Sequence, residues 1–94
     1  LLTIQFSCQW EDVLSQAADT VAGKLELENS MAGWGAALIG PVNAPVYKVN
    51  DIYRKILYIK HENYDILIQI RKMTEEGLKG LEGRDGLTVQ YDLT

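Results

Sequence analysis

Ninety-four residues, 47% hydrophobic and 23% charged, describe one ordinary globular domain, large enough to fold alone but with little surplus core. A net charge of −4 with no dense basic run argues against nucleic acid as a partner, and the single cysteine, Cys8, excludes an internal disulfide. The chain starts at Leu1 rather than Met, as a fragment of a longer protein would.

Residues 1–8 (LLTIQFSC) alternate loosely and carry no charge, which predicts a short extended segment. A helical pattern follows over 9–28. Trp10, Val13, Leu14, Ala17, Val21 and Leu25 share one face, and Glu11 and Asp12 sit in the first turn, where the helix dipole favours acids. Ser7 is the expected N-cap, and Gly23 either ends this helix or is tolerated within it. Residues 29–45 contain no charge and are punctuated by Gly33, Gly35, Gly40, Pro41 and Pro45, so they read as an apolar connector.

Residues 46–80 dominate the pattern. Val49, Ile52, Ile56, Ile59, Asn63, Ile66, Ile70 and Met73 follow one another by alternating steps of three and four, a heptad spacing with one polar position. No Gly or Pro interrupts Val46 to Glu76, and a continuous helix over Val46–Leu81 would be roughly 50 Å long at 1.5 Å per residue. Isoleucine at both core positions favours trimers or larger coiled coils, and Asn63 would fix the register. Tyr53, Leu57, Tyr64, Leu67 and Ile68 widen the apolar face beyond a two-residue seam, as a helix touching several others requires. Lys48, Arg54, Lys55, Lys60, Arg71 and Lys72 outnumber Asp51, Glu62 and Asp65 over 46–74, a dilute basic excess that could match the acidic first helix. Beyond it, Gly77, Gly80, Gly83 and Gly86 fall at every third residue. They fit either a fraying helix end before a terminal strand over 87–93, or four collagen-like triplets.

The chemistry of catalysis is thinly represented. His61 stands alone between Lys60 and Glu62, Cys8 has no basic neighbour, and no His, Cys or carboxylate grouping has metal-ligand spacing. GWGAALIG at 33–40 lacks the spacing of a nucleotide-binding loop. Neither a catalytic set, a metal site nor a cofactor is expected.

The apolar Gly/Ala-rich stretch Met31–Val42 ahead of a heptad helix resembles the fusion peptide and first heptad repeat of class I viral fusion proteins. That resemblance implies membrane insertion by Trp34, Leu38 and Ile39. The layout of two helices about Trp34-Gly35-Ala36 is also similar to the small secreted WXG-type hairpins, without keeping their Trp-any-Gly order.

The expectation from the sequence is therefore a mainly α chain. A helical hairpin carries one long heptad-patterned helix over about 46–80, with short extended segments at both ends, and associates as a bundle or coiled coil. The function expected is non-enzymatic self-assembly or scaffolding, as a trimer or larger homo-oligomer through the eight heptad residues. A membrane-active protein using 31–42, or an adaptor binding another helical protein, are the alternatives.

Overall fold

A computed structural model describes residues 1–94, the side chain of Arg84 apart. Its elements in chain order are β1 (Leu2–Cys8), α1 (Glu11–Ala32), β2 (Ala37–Val49), β3 (Ile52–Lys60), α2 (Tyr64–Gly77), a 3-10 turn (Arg84–Gly86) and β4 (Thr88–Leu93). The four strands form one sheet in the order β2-β3-β1-β4, with every neighbouring pair antiparallel. This is an α+β domain of the split βαβ, ferredoxin-like arrangement. The mainly α hairpin and the coiled coil are overturned.

β1 shows the period-two pattern of a strand with one face covered. Leu2, Ile4, Phe6 and Cys8 are fully buried, and Thr3, Gln5 and Ser7 alternate with them. α1 turns Leu14, Ala17, Ala18, Val21, Ala22 and Leu25 onto the same face. Its N-cap is Trp10, not Ser7, and no side chain caps it. Gly23 lies inside the helix. Gly33, at φ 66°, ends it in the left-handed conformation with its N–H bonded to the Asn29 carbonyl at 3.1 Å. The Asn29 amide then pairs with the Ala36 backbone in both directions, donating to its carbonyl at 2.9 Å and accepting its N–H at 3.1 Å. That pair closes the turn and aims the chain into β2.

The segment expected to be one long helix is instead a strand, a hairpin turn, a second strand, a loop and a helix. Asn50 and Asp51 both have positive φ, 52° and 63°, and join β2 to β3 as a two-residue type I′ turn. β3 (IYRKILYIK) is dense in β-branched and aromatic residues, which pack well on a pleated surface. α2 begins only at Tyr64, where the Asn63 side chain accepts the Asp65 N–H at 2.9 Å. Asn63 is therefore a helix cap and not a register residue in a seam. Leu67, Ile70 and Thr74 form the buried side of α2, and Leu78 is buried just beyond it.

Residues from α1, α2 and the covered sheet face belong to one core, so both helices lie on the same side. Trp34, Leu57, Ile59, Leu87 and Val89 complete it. The opposite face stays uncovered and presents Thr3, Gln5 and Ser7 from β1, flanked in register by Arg54, Ile56 and Tyr58 of β3 and by Thr88, Gln90 and Asp92 of β4. The four regularly spaced glycines end α2 (Gly77) and occupy the turns before β4 (Gly80, Gly83, Gly86), so they serve a chain reversal and not a triple helix.

A candidate interaction surface on the β2–β3 arm

β2 has thirteen residues and β3 nine, yet Ala37 pairs with Lys60 at one end and Val49 with Ile52 at the other. The four surplus residues leave β2 in two bulges, one between Ile39 and Val42 and a larger one between Asn43 and Lys48. Pro41 and Pro45 fall in or beside them, a placement tolerated because β2 is an edge strand. The bulges disrupt the outer edge as a template for adding another strand. What the edge offers is side chains.

The first bulge is fixed by Gly40. Its φ is 111°, and a Cβ there would lie 2.8 Å from the Ile56 carbonyl oxygen, so only glycine allows this approach. The larger bulge is held at two points. Arg54 donates from Nη2 to the Val46 carbonyl at 2.9 Å, and the Tyr47 hydroxyl donates to Glu11 Oε2 at 2.7 Å. Partial burial, then the hydrogen bond and negative charge of Glu11, push the Tyr47 phenol up to about 12. Tyr47 also packs on Tyr53 with ring centres 5.3 Å apart. The Lys48 ammonium sits 5.1 Å from the centre of the Tyr53 ring, and the Tyr53 phenol, followed by Asp51, raises its pKa. Ala44 and Ile56 are buried on this arm, outside the main core.

Around this frame the apolar residues are left in solvent. Ile39, Val42, Val46, Val49 and Ile52 are all exposed, Val46 at 57%. Register places Ile39, Val42, Val49 and Ile52 on the uncovered side of the sheet with Ile56 and Tyr58. The arm, residues 37–60, is also the basic part of an acidic chain. Lys48, Arg54, Lys55 and Lys60 stand against Asp51 alone, a surplus of three, so the remaining residues carry −7 and the whole chain −4. Exposed aliphatic side chains on a tethered edge, with Arg54 and Lys60 on the same side of the sheet by register, are the chemistry of a contact surface.

The eight residues expected to form one seam are dispersed. Val49 and Ile52 face each other across the hairpin turn, Ile56 is buried on the uncovered sheet face, and Ile59 points into the core opposite Leu2. Asn63 caps α2, Ile70 is buried beneath it, and Ile66 and Met73 are partly buried against the core. The three residues of the fusion-peptide resemblance part company as well. Trp34 is buried in the core and Leu38 packs against it, and only Ile39 is exposed. Among the described residues no helix is long and apolar enough to cross a membrane.

The candidate reactive groups are engaged in structure. His61 Nδ1 accepts the Asn63 N–H at 2.8 Å, and its Nε2 lies 2.6 Å from the Trp34 carbonyl. The neutral tautomer with its proton on Nε2 satisfies both. Cys8 is buried, donating to the Asp85 carbonyl at 3.3 Å and accepting the Trp10 N–H at 3.4 Å. Among the described residues no group of His, Cys, Asp and Glu could hold a metal ion. A scan of protein-family models and a comparison with curated proteins both found no match for this chain.

Proposed function

We propose that this domain is a non-enzymatic protein-interaction module whose contact surface is the β2–β3 arm. The observation that carries this reading is the row of exposed aliphatic side chains, Val42, Val46, Val49 and Ile52, held on a bulged edge by Arg54 and Tyr47. Leaving such residues in water forgoes about 25 cal/mol for each Å² of apolar surface, which contact with a partner recovers. The two tethers hold that surface in shape before binding, so little ordering is left for the binding step. A protein partner suits this surface better than nucleic acid. The uncovered face has one aromatic residue at its centre, Tyr58, and β1 contributes only Thr3, Gln5 and Ser7, whereas single-strand binders stack bases on several aromatics.

A photo-reactive amino acid placed at Val46 or Val49, with Gln90 on the uncovered face as the control site, tests the proposal in cells. Discrete protein adducts from the arm positions, competed away by unlabelled protein, support it. Adducts only to nucleic acid would replace the partner class, and arm positions no more reactive than Gln90 would overturn the proposal.

A further inference from the structure

We propose that the groove between α1 and α2 binds a small, uncharged, apolar molecule, of the size of one ring bearing a short alkyl chain. This site stands apart from the arm, no residue of which lines it. The groove has a volume of about 220 Å³. Ala17, Val21 and Leu25 of α1 line it together with Thr74 and Leu78, and all five are buried. Met73 and Leu81 complete the apolar lining. An apolar cavity of about 150 Å³ already takes a benzene ring, so this one has room for a ring and a short chain. The hollow is open because Gly77 has no side chain. Gly77 lines it, and a Cβ at that position would meet no heavy atom within 4 Å. Its φ lies outside the left-handed region, so the backbone does not call for glycine, which is a poorer helix former than alanine. A gap kept open at a helix position where a side chain would fit is the mark of a site.

The lining selects the chemistry of the ligand. The Thr74 hydroxyl is already spent on the Ile70 carbonyl at 2.8 Å. Lys24 and Glu28 stand four residues apart on α1 and balance each other, so the groove has no net charge with which to hold an ion. Its two sides are helices, whose backbone groups bond internally, and no strand lines it, so it offers no edge to an extended peptide. Water in this groove finds few polar partners, and an apolar molecule that displaces it gains affinity.

Methyl NMR of the whole chain, titrated in turn with ethylbenzene, benzoate and benzylammonium, is the test. Ethylbenzene is expected to shift the methyl signals of Val21, Leu25 and Met73, with saturation by about 1 mM and binding at least about tenfold tighter than that of either ion. Gly77→Leu fills the groove from α2 and Thr20→Phe from α1. Both positions are exposed, so folding is retained and checked by circular dichroism. Each variant is expected to bind ethylbenzene at least about tenfold more weakly, the effect of misfitting a pocket by a methylene or more. Gly77→Leu is expected to raise the unfolding midpoint while it does so, which separates lost binding from lost structure. No saturable shift at the groove methyls, ions that bind as tightly as ethylbenzene, or binding unchanged in both filled variants overturns the proposal. Shifts of the same methyls that grow with protein concentration and no probe would make a second copy the occupant, and overturn it as well.

Discussion

Arg54 donates to the backbone carbonyl of Val46 across the larger bulge of β2, at 2.9 Å. The bulged residues pair with no strand, so this bond and the Tyr47–Glu11 bond replace the ladder that a regular strand would have. Arg54→Met keeps much of the apolar stem and removes the donor. It is expected to cost about 1–2 kcal/mol in chemical denaturation, and to speed amide exchange at 44–48 well beyond the change at β1. Equal effects on both regions would mean that Arg54 supports the sheet in general and not the bulge.

The hairpin turn separates two ways of folding the same residues. Asp51 sits at φ 63°, where glycine is at ease, so Asp51→Gly is expected to raise stability by about 0.5–1 kcal/mol even though it loses the exposed pair with Lys48. In a continuous helix the same change would cost about that much. The sign of the shift in denaturation midpoint decides.

Asn63 caps α2 through Asp65, so Asn63→Ala is expected to lose about 1 kcal/mol and Asn63→Ile at least as much. In a heptad seam the isoleucine would stabilise the assembly. Thermal unfolding of the two variants side by side separates the roles.

Two tyrosines set the alkaline limit. Tyr47 is pushed up to about 12 by partial burial and Glu11, and Tyr91 to about 12 by burial and the charges of Glu82 and Glu75, against the opposing charge of Arg71. A phenol whose folded pKa exceeds its unfolded value of 10.0 favours the fold while protonated. That contribution is complete below pH 10 and is lost between about pH 10 and 12. Tyr47→Phe and Tyr91→Phe are each expected to flatten the fall in stability over that window. Tyr91→Phe should also raise stability at neutral pH, since its buried hydroxyl has no hydrogen-bond partner among the described residues. A neutral-pH loss in that variant would show that the hydroxyl is satisfied.

The strand at β1 and most of the face of α1 were legible because each period spans its whole element: Leu2, Ile4, Phe6, Cys8 at steps of two, and Leu14, Ala17, Val21, Leu25 at helical steps, whereas Trp10, expected on that face, is the N-cap and 53% exposed. Residues 46–80 misled for a physical reason. A step of four is common to both periods, so Ile52 and Ile56 share a face in either structure, while Val49 and Ile52 became neighbours across a turn and Ile59 moved to the opposite face of the sheet. The signals for the correct reading were local. Asn50-Asp51 can populate positive φ in succession, Ile52–Lys60 favours a pleated surface, and Asn63 before Tyr64-Asp65 marks a helix start. The connector at 29–45 hid most of β2 because Gly40, Pro41 and Pro45 break a central strand but suit a bulged edge. The exposed arm could not be seen without that hairpin.

Backbone NMR of residues 46–73 tests most directly whether the arm exists. Cross-strand Hα–Hα contacts, strand-type Cα shifts on both sides of Asn50-Asp51, and helical shifts beginning only at Tyr64 are expected. An unbroken run of sequential amide–amide contacts with helical shifts from Val46 through Met73 would contradict it, and the interaction surface on the arm would go with it.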